Sequence, residues 1–184
     1  MIYTVGHSTR DFAELLALLG AHGVRQIVDV RRHPASRRHP QFARDALAGA
    51  LAQAGITYAH EGDLGGRRAP RRDSANTGWR SAGFRGYADY MDGDAFSEAF
   101  DRLRALAALM PTAILCAEAV PWRCHRQLIA DAAVARGIEV RHILGPDRAE
   151  PHHLTAFARV LPDGRLCYPA ELEQGSLGLG QPAR

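Results

Sequence analysis

Short apolar runs alternate along the chain with longer amphipathic segments. Five runs have the length and composition of β-strands, at 2–7, 26–30, 56–60, 112–118 and 138–144. The segments between them carry apolar residues at helical spacing, at 11–23, 44–55, 84–91, from 94 onward and at 125–137. Strands that alternate with helices are typical of a largely parallel sheet. We therefore expect an α/β fold, a single three-layer domain with a mostly parallel sheet of about five strands and helices on both faces.

The ends of some segments carry recognisable signals. Ser8 and Asp11 have the spacing of a capping box ahead of the first helix. Near the C-terminus the pattern at 151–158 predicts a brief helix. We assign 1–170 to the α/β domain and 171–184 to a flexible C-terminal tail.

Length and composition narrow the class of protein. The chain has 184 residues, enough for one domain with a sizeable core. Hydrophobic residues make up 46% and charged residues 23%, as in soluble globular proteins, and no window has the apolar length of a membrane span. The N-terminal residues lack the pattern of a signal peptide, and the 3 cysteines are an odd number, which favours reduced thiols. We therefore expect a cytoplasmic protein without a membrane partner.

Positive charge is concentrated in one part of the chain. The formal net charge is only +3, and all 23 basic residues are arginine. Residues 31–85 hold 11 Arg and 4 acidic residues, a local net charge of +7. Arginine suits bidentate contacts with phosphate or carboxylate, although a charge run is also typical of a solvated surface. The loop at 61–83 is too polar and glycine-rich to pack in a core, and we expect it to close over a bound ligand.

Polar side chains follow the predicted strands at the points where the strands end. His7 and Ser8 come after the first strand, Asp29 and Arg31 lie at the end of the second, and Glu118 ends the fourth. In open α/β sheets, ligands bind beyond the carboxyl ends of the strands. The sequence therefore predicts a site at this edge of the sheet.

Five sequence blocks, taken together, resemble the uncharacterised domain-of-unknown-function family 488. The blocks are YTVGHSTR, VDVRRHPASRRHPQF, LGGRR, GFRGYADYM and CAEAVPWRCHR, and the resemblance extends from about residue 2 to residue 169. It implies a single-domain cytoplasmic α/β protein and implies no reaction. The recurring polar positions of that family correspond here to Gly6, His7, Ser8, Asp29, Arg31, Gly65, Gly66, Arg67, Gly86, Tyr87, Cys116, Glu118, Cys124, His125 and Arg126.

The stretch CAEAVPWRCHR, 116–126, brings two thiols close together in the sequence. Cys124 opens a predicted helix, where unpaired N–H groups and the helix dipole stabilise a thiolate. Arg123, His125 and Arg126 add positive potential, so Cys124 is a candidate nucleophile. Burial of both thiols as small core residues is the competing interpretation.

Metal binding and phosphatase chemistry fit this stretch less well. Seven residues separate Cys116 from Cys124, unlike the short cysteine spacings of structural zinc sites, and we predict no metal. A tyrosine-phosphatase loop has five residues between its cysteine and its arginine. The corresponding positions here are Trp122 and Ala130. The layout also looks like a rhodanese, and persulfide transfer stays open as an analogy.

These observations favour a small enzyme that binds a phosphorylated or nucleotide-like anion at the carboxyl edge of the sheet. The predicted catalytic residues are His7, Glu118 and Cys124. The predicted substrate-binding residues are Ser8, Arg31, Arg67, Arg123, His125 and Arg126. The alternative is a nucleic-acid-binding module, in which the basic segment 31–85 contacts phosphates and the aromatic residues at 84–90 stack on bases. A scaffold without chemistry is a third interpretation. The expected partner is thus an anionic small molecule or a nucleic acid, and the sequence names no cofactor and no oligomeric state.

Overall fold

The computed structural model describes residues 1–35 and 38–170 of the chain. Its strands are β1 (Ile2–Gly6), β2 (Gln26–Asp29), β3 (Thr57–His60), β4 (Thr112–Cys116), β5 (Val140–Gly145), β6 (Arg148–Pro151), β7 (Arg159–Val160) and β8 (Leu166–Cys167). Its α-helices are α1 (Phe12–Ala21), α2 (Arg44–Gln53), α3 (Ala82–Tyr90), α4 (Asp94–Leu109) and α5 (Arg126–Ala135). Within the described ranges no helix has the length and apolar character needed to cross a bilayer. The predicted tail at 171–184 lies outside the described residues.

Strands β1 to β6 form one sheet in the order β3-β2-β4-β1-β5-β6. Every neighbouring pair is parallel except β5 with β6. The predicted α/β class with a mostly parallel sheet is therefore confirmed, and β2 and β4 are adjacent buried strands. The sequence prediction lacks β6, which folds back along β5 after a tight turn and is antiparallel because a parallel strand would need a long crossover.

Helices cover both faces of the sheet, as predicted. Helices α1 and α2 pack on the face that carries Ile27 and Leu115, whereas α3, α4 and α5 pack on the face that carries Val28 and Ile114. Successive strand residues point to opposite faces, so the adjacent apolar residues within β2 and β4 serve both layers. Cys116 belongs to the second face and thus points toward the layer that contains α5.

Two predicted helix signals are wrong in the structure. Asp11, not Ser8, caps α1, because the Asp11 carboxylate accepts from the Glu14 N–H group while the Glu14 carboxylate accepts from the Asp11 N–H group. No helix forms at 151–158, where the Thr155 N–H group instead donates to a distant side chain. A side-chain acceptor thus takes a donor that a helix would use.

The loop at 61–83 packs against the domain, contrary to the sequence expectation. Leu64 is fully buried and Asn76 nearly so. The Asp89 carboxylate on α3 accepts hydrogen bonds from the Ser74 hydroxyl at 2.6 Å and from the Asn76 side chain at 2.8 Å. One carboxylate on a helix therefore anchors a polar loop that has few apolar residues of its own.

Candidate functional site

The parallel register brings the ends of the central strands to one edge of the sheet. Gly6 at the end of β1 pairs with Cys116 at the end of β4. Beyond the strands, the His7 N–H group donates to the Cys116 carbonyl at 3.0 Å and the Ser8 N–H group donates to the Ala117 carbonyl at 2.8 Å. The segments that leave β1 and β4 therefore stay side by side past the sheet, where the sequence predicts a site.

Two buried thiols and one imidazole converge at this edge. Cys116 ends β4, Cys124 follows a 3₁₀ turn at Pro121–Arg123, and His125 directly precedes α5. The Cys124 and Cys116 sulfur atoms lie 3.7 and 4.0 Å from His125 Nδ1, and the three polar atoms lie within 4.8 Å of one another. Both cysteines are free thiols. We call Cys116, Cys124 and His125 the thiol cluster.

Protonation of the two thiols is linked. The hydrogen bond with Cys116 lowers the pKa of Cys124 well below its usual value, and His125 and Arg126 act in the same direction. The same hydrogen bond, together with burial, raises the pKa of Cys116. The pair therefore favours one shared proton that resides on Cys116, with the negative charge on Cys124.

Backbone and loop contacts fix the orientation of the His125 ring. Its Nε2 atom lies 3.0 Å from the Val30 carbonyl oxygen, which can only accept, so Nε2 carries a proton. In the neutral ring, Nδ1 then accepts from a thiol S–H group, and only in the protonated ring does Nδ1 donate to the Cys124 sulfur, which is the form that lowers the pKa of Cys124. Gly66 lies directly over the ring, because a Cβ atom at this position would be only 2.8 Å from Nδ1. The absence of a side chain at Gly66 thus lets the loop at 61–83 cover the thiol cluster.

Arg126 is a buried cation without a carboxylate partner among the described residues. Its side chain is 1% exposed, and none of the ion pairs in the described part of the chain includes it. Its guanidinium donates to the carbonyl groups of Glu118 and Ala119. It also donates to the Thr4 hydroxyl and to the Cys124 sulfur, each at 3.4 Å. Of these acceptors only Cys124 can carry a negative charge, and a guanidinium stays protonated in proteins.

Arg31, in contrast, is neutralised by a buried carboxylate. Its guanidinium contacts Asp29 at 2.5 Å, donates to the Phe42 carbonyl at 2.8 Å and lies 3.3 Å from His7 Nε2. Burial and the neighbouring Arg31 lower the pKa of His7 to about 4, so the His7 ring is neutral near pH 7. The Arg31 and His7 side chains thus face each other in the structure. Substrate contacts by Arg31 and proton transfer by His7 stay predictions.

Three other predicted site residues are exposed. Glu118 and Arg123 are both exposed, as is Arg67. Glu118 contacts Arg126 through its carbonyl group rather than its carboxylate. Ser8 and Arg67 have φ angles of 49° and 63°, in the left-handed region that is uncommon for residues with side chains and recurs at functional sites. The structure thus gathers Cys124, His125 and Arg126 and leaves Arg67 and Arg123 available at the surface.

A buried polar network behind Arg126 is absent from the sequence interpretation. Thr4 Oγ1 lies 2.8 Å from His142 Nδ1, because Thr4 and His142 are register partners on β1 and β5. His142 Nε2 lies 2.9 Å from His152 Nδ1, and His152 Nε2 lies 2.8 Å from the Asp131 carboxylate. These residues come from β1, β5, the segment after β6 and α5, so no local spacing reveals the network. The one available signal is a threonine within the apolar run of β1.

The thiol cluster is the group of side chains that can contact a soft metal ion in the part of the chain that the structure describes. Two thiols and an imidazole are suitable donors for zinc. A metal ion among them would lie beside Arg126, whose Nε–H group contacts the Cys124 sulfur. Two adjacent buried positive charges repel each other, so this contact favours a thiolate without a metal. The predicted absence of a metal stays a prediction.

The aromatic residues at 84–90, which the nucleic-acid alternative uses for stacking, pack within the protein. Tyr87 is buried and donates to a backbone carbonyl at 2.7 Å. Phe84 contacts Trp79 with ring centroids 4.8 Å apart, and the Arg68 guanidinium lies 3.6 Å from the centroid of the Tyr90 ring. These contacts occupy side chains that base stacking would require. The nucleic-acid alternative stays a prediction that no contact in the described residues favours.

Comparison with known proteins identifies a family but no activity. A family model with the description "Domain of unknown function DUF488" matches residues 11–133, more than half of the chain. The matched range includes both cysteines of the thiol cluster. Neither the curated proteins nor the solved structures provide a match. Chemistry must therefore be inferred from the site itself.

Proposed function

The chain belongs to the DUF488 family, and we propose that it is a small thiol-dependent enzyme in which Cys124 attacks an electrophilic, anionic small molecule. The contact between the Cys124 sulfur and the buried Arg126 guanidinium carries this proposal. A buried cation is costly unless a negative group or strong hydrogen bonds compensate it. Because the other acceptors of Arg126 are neutral, the thiolate form of Cys124 is the group that balances its charge.

The proposed reaction uses both thiols. The Cys124 thiolate forms a bond to the electrophilic atom of the substrate, and the bond from that atom to its leaving group breaks. The leaving group keeps the electron pair and receives the proton of Cys116, which lies beside Cys124. Water or another acceptor then attacks the Cys124 adduct, loses its proton to Cys116, and releases both the product and the Cys124 thiolate.

Charge around the thiol cluster favours an anionic substrate. Arg123 immediately precedes Cys124, and Arg67 follows Gly66, which lies on the His125 ring. Both arginines are exposed, so their guanidinium groups can reach a phosphate or carboxylate outside the cluster. Arg126 has its donors directed at protein groups and contributes positive potential rather than direct contacts, whereas the charge of Arg31 is balanced by Asp29.

Access to the thiols requires movement of the loop at 61–83. The Cys124 and Cys116 side chains are only 3% and 6% exposed, and Gly66 covers His125. Amide hydrogen exchange should therefore show that the backbone at 65–67 exchanges faster in the free protein than in the ligand-bound protein. Exchange at 65–67 that is unaffected by a bound anion would show that this loop is not the entrance.

The test is the pH dependence of iodoacetamide alkylation at each cysteine, read by peptide mass spectrometry on the full chain. Cys124 should become reactive at least one pH unit below the ordinary thiol pKa of ~8.5. Cys167, a half-buried free cysteine outside the cluster, serves as the internal reference. Inorganic phosphate or a nucleotide should slow alkylation of Cys124 without slowing that of Cys167.

Three results would contradict the proposal. The first is a Cys124 alkylation midpoint near that of an ordinary thiol. The second is a metal ion that survives extensive dialysis and is lost in Cys124→Ser. The third is affinity for DNA or RNA that falls steeply with salt and survives in Cys124→Ser, which favours the nucleic-acid alternative.

A further inference from the structure

A continuous line of hydrogen bonds leads from Cys124 through Arg126 into the interior. It continues through Thr4, His142 and His152 to Asp131. We call the four residues Thr4, His142, His152 and Asp131 the Asp131 chain. Every member of the Asp131 chain is buried, and Thr4 and Asp131 are fully so. The thiol chemistry proposed above uses none of these four residues directly.

The direction of each hydrogen bond follows from Asp131. Its carboxylate also accepts from the Thr155 N–H group, the Thr155 hydroxyl and the Tyr168 hydroxyl at 2.7–3.0 Å, so it acts as an acceptor throughout. His152 Nε2 must therefore carry a proton, which makes His152 Nδ1 an acceptor in the neutral ring. The protonated atom of His142 is then Nε2, and His142 Nδ1 accepts from Thr4.

The same logic reaches Arg126. Because the Thr4 hydroxyl donates its only proton to His142, its oxygen lone pairs face Arg126 as acceptors. Burial, His152 and Arg126 lower the pKa of His142 to about 4, so the ring stays neutral near pH 7 and keeps this direction. Every donor in the line from Arg126 to Asp131 thus points toward the carboxylate.

We propose that the Asp131 chain holds the Arg126 guanidinium in place beside the Cys124 sulfur, and that its four residues are positioning residues for the thiolate. This inference rests on the proposed function, because it assigns a purpose to the chain only if Cys124 reacts as a thiolate. Asp131 supplies a buried negative charge at the far end of the line, and the neutral residues between it and Arg126 orient the dipoles that connect the two charges.

Other groups also act on Cys124, and a test must leave them unchanged. They are Cys116 from β4, His125 and Arg126 at the start of α5, and Tyr87 from α3. Thr4→Val removes the hydroxyl that joins Arg126 to His142 and preserves the shape of the side chain. His142→Phe breaks the chain one step further away, because the His142 ring bonds Thr4 and His152 and makes no hydrogen bond to Arg126 or Cys124 among the described residues. The ring is electrostatically coupled to both groups, so Thr4→Val is the primary variant.

The experiment compares alkylation of Cys124 across pH in the wild-type chain and in these variants. Thr4→Val and His142→Phe should each raise the midpoint by about one pH unit, so that the rate near pH 6 falls about tenfold while the plateau at high pH is unchanged. Thr4→Ser keeps the hydroxyl and should retain the wild-type midpoint. The matched control His22→Phe removes a hydrogen bond to the Gly145 carbonyl, away from the chain, and should also leave the midpoint unchanged.

The outcomes separate this inference from the proposed function. A low wild-type midpoint that persists in folded Thr4→Val and His142→Phe overturns the positioning role and leaves the thiol enzyme intact. An ordinary wild-type midpoint overturns both. If His142→Phe does not fold, Thr4→Val against the wild type decides, because Val differs from Thr only by a methyl group in place of the hydroxyl, and Thr4→Ser is the control that keeps the hydroxyl.

Discussion

Two buried arginines lie near the same edge of the sheet and are compensated in different ways. Arg31 forms an ion pair with the Asp29 carboxylate at 2.5 Å. Arg126 contacts backbone carbonyls, the Thr4 hydroxyl and the Cys124 sulfur, and no ion pair of the described residues includes it. The charge of Arg31 is balanced by the Asp29 carboxylate, whereas the charge of Arg126 is balanced when a thiol ionises or an anion binds.

This difference distinguishes a buried charge that stabilises the fold from a buried charge that favours ionisation of a reactive group. An arginine with its own carboxylate has its charge largely balanced, so its lowering of the His7 pKa only adds to the larger effect of burial. An arginine without one favours ionisation of whatever acid it contacts, and here that acid is Cys124. Residue type and burial alone do not distinguish the two, because both guanidinium groups are almost inaccessible to solvent.

The strongest test of the comparison is Arg31→Met. This change leaves the Asp29 carboxylate buried with fewer donors and should lower the free energy of unfolding by about 3–5 kcal/mol. Urea denaturation measures the loss. The paired variant Asp29→Leu/Arg31→Met removes both charges and should recover most of it. If the double variant stays as unstable as Arg31→Met, Asp29 stabilises the fold through contacts other than its ion pair with Arg31.

Arg126→Met should act mainly on the thiol. Without the guanidinium the midpoint of Cys124 alkylation should rise by about 1–2 pH units, because the thiolate loses the cation that stabilises it. Arg126→Lys keeps a charge without the planar fork and should give a smaller shift. The comparison between the two arginines breaks down if Arg31→Met shifts the Cys124 midpoint as much as Arg126→Met does.

Each arginine region also contains a buried histidine whose pKa is lowered to about 4, His7 near Arg31 and His142 in the Asp131 chain. The unfolded chain binds protons to these rings below pH ~6.5 while the folded protein does not. Stability is therefore complete above pH ~6.5 and should fall by about 1–3 kcal/mol as the pH decreases toward 4. Urea midpoints between pH 7 and 4 measure this loss, and His142→Phe should show about half the pH dependence of the wild type. An unaltered pH dependence in that variant would mean that His142 is not the group that resists protonation.

The smallest expected effect is that of a change at Arg67. This arginine differs from the two buried ones because it is exposed and has a φ angle of 63°. Arg67→Gly relieves this left-handed backbone and should stabilise the protein by about 0.5–1 kcal/mol. The same change should weaken the protection of Cys124 by phosphate, because it removes an exposed cation. Arg72→Gly, also in the loop but without a positive φ, should not stabilise. Stabilisation with full phosphate protection would remove Arg67 from the substrate contacts.

The sequence predicted most of the architecture because its signals are local. The apolar runs of β2 and β4, the helical spacing in α1 and α4, and the concentration of polar residues after the strands all depend on neighbours along the chain. The two errors in helix signals share one cause. Asp11 rather than Ser8 caps α1, and Thr155 donates to Asp131 instead of joining a helix, because side chains compete with the backbone for hydrogen bonds.

For the candidate site, the sequence by itself determined which chemistry is present, namely two thiols, His125 and Arg126 within eleven residues. Only the tertiary structure decided that Arg126 contacts sulfur whereas Arg31 contacts a carboxylate, and that Thr4, His142, His152 and Asp131 form one line. These contacts join residues up to 138 positions apart, such as Thr4 and His142. Their partners are set by strand order and register, which a local pattern of residues does not encode.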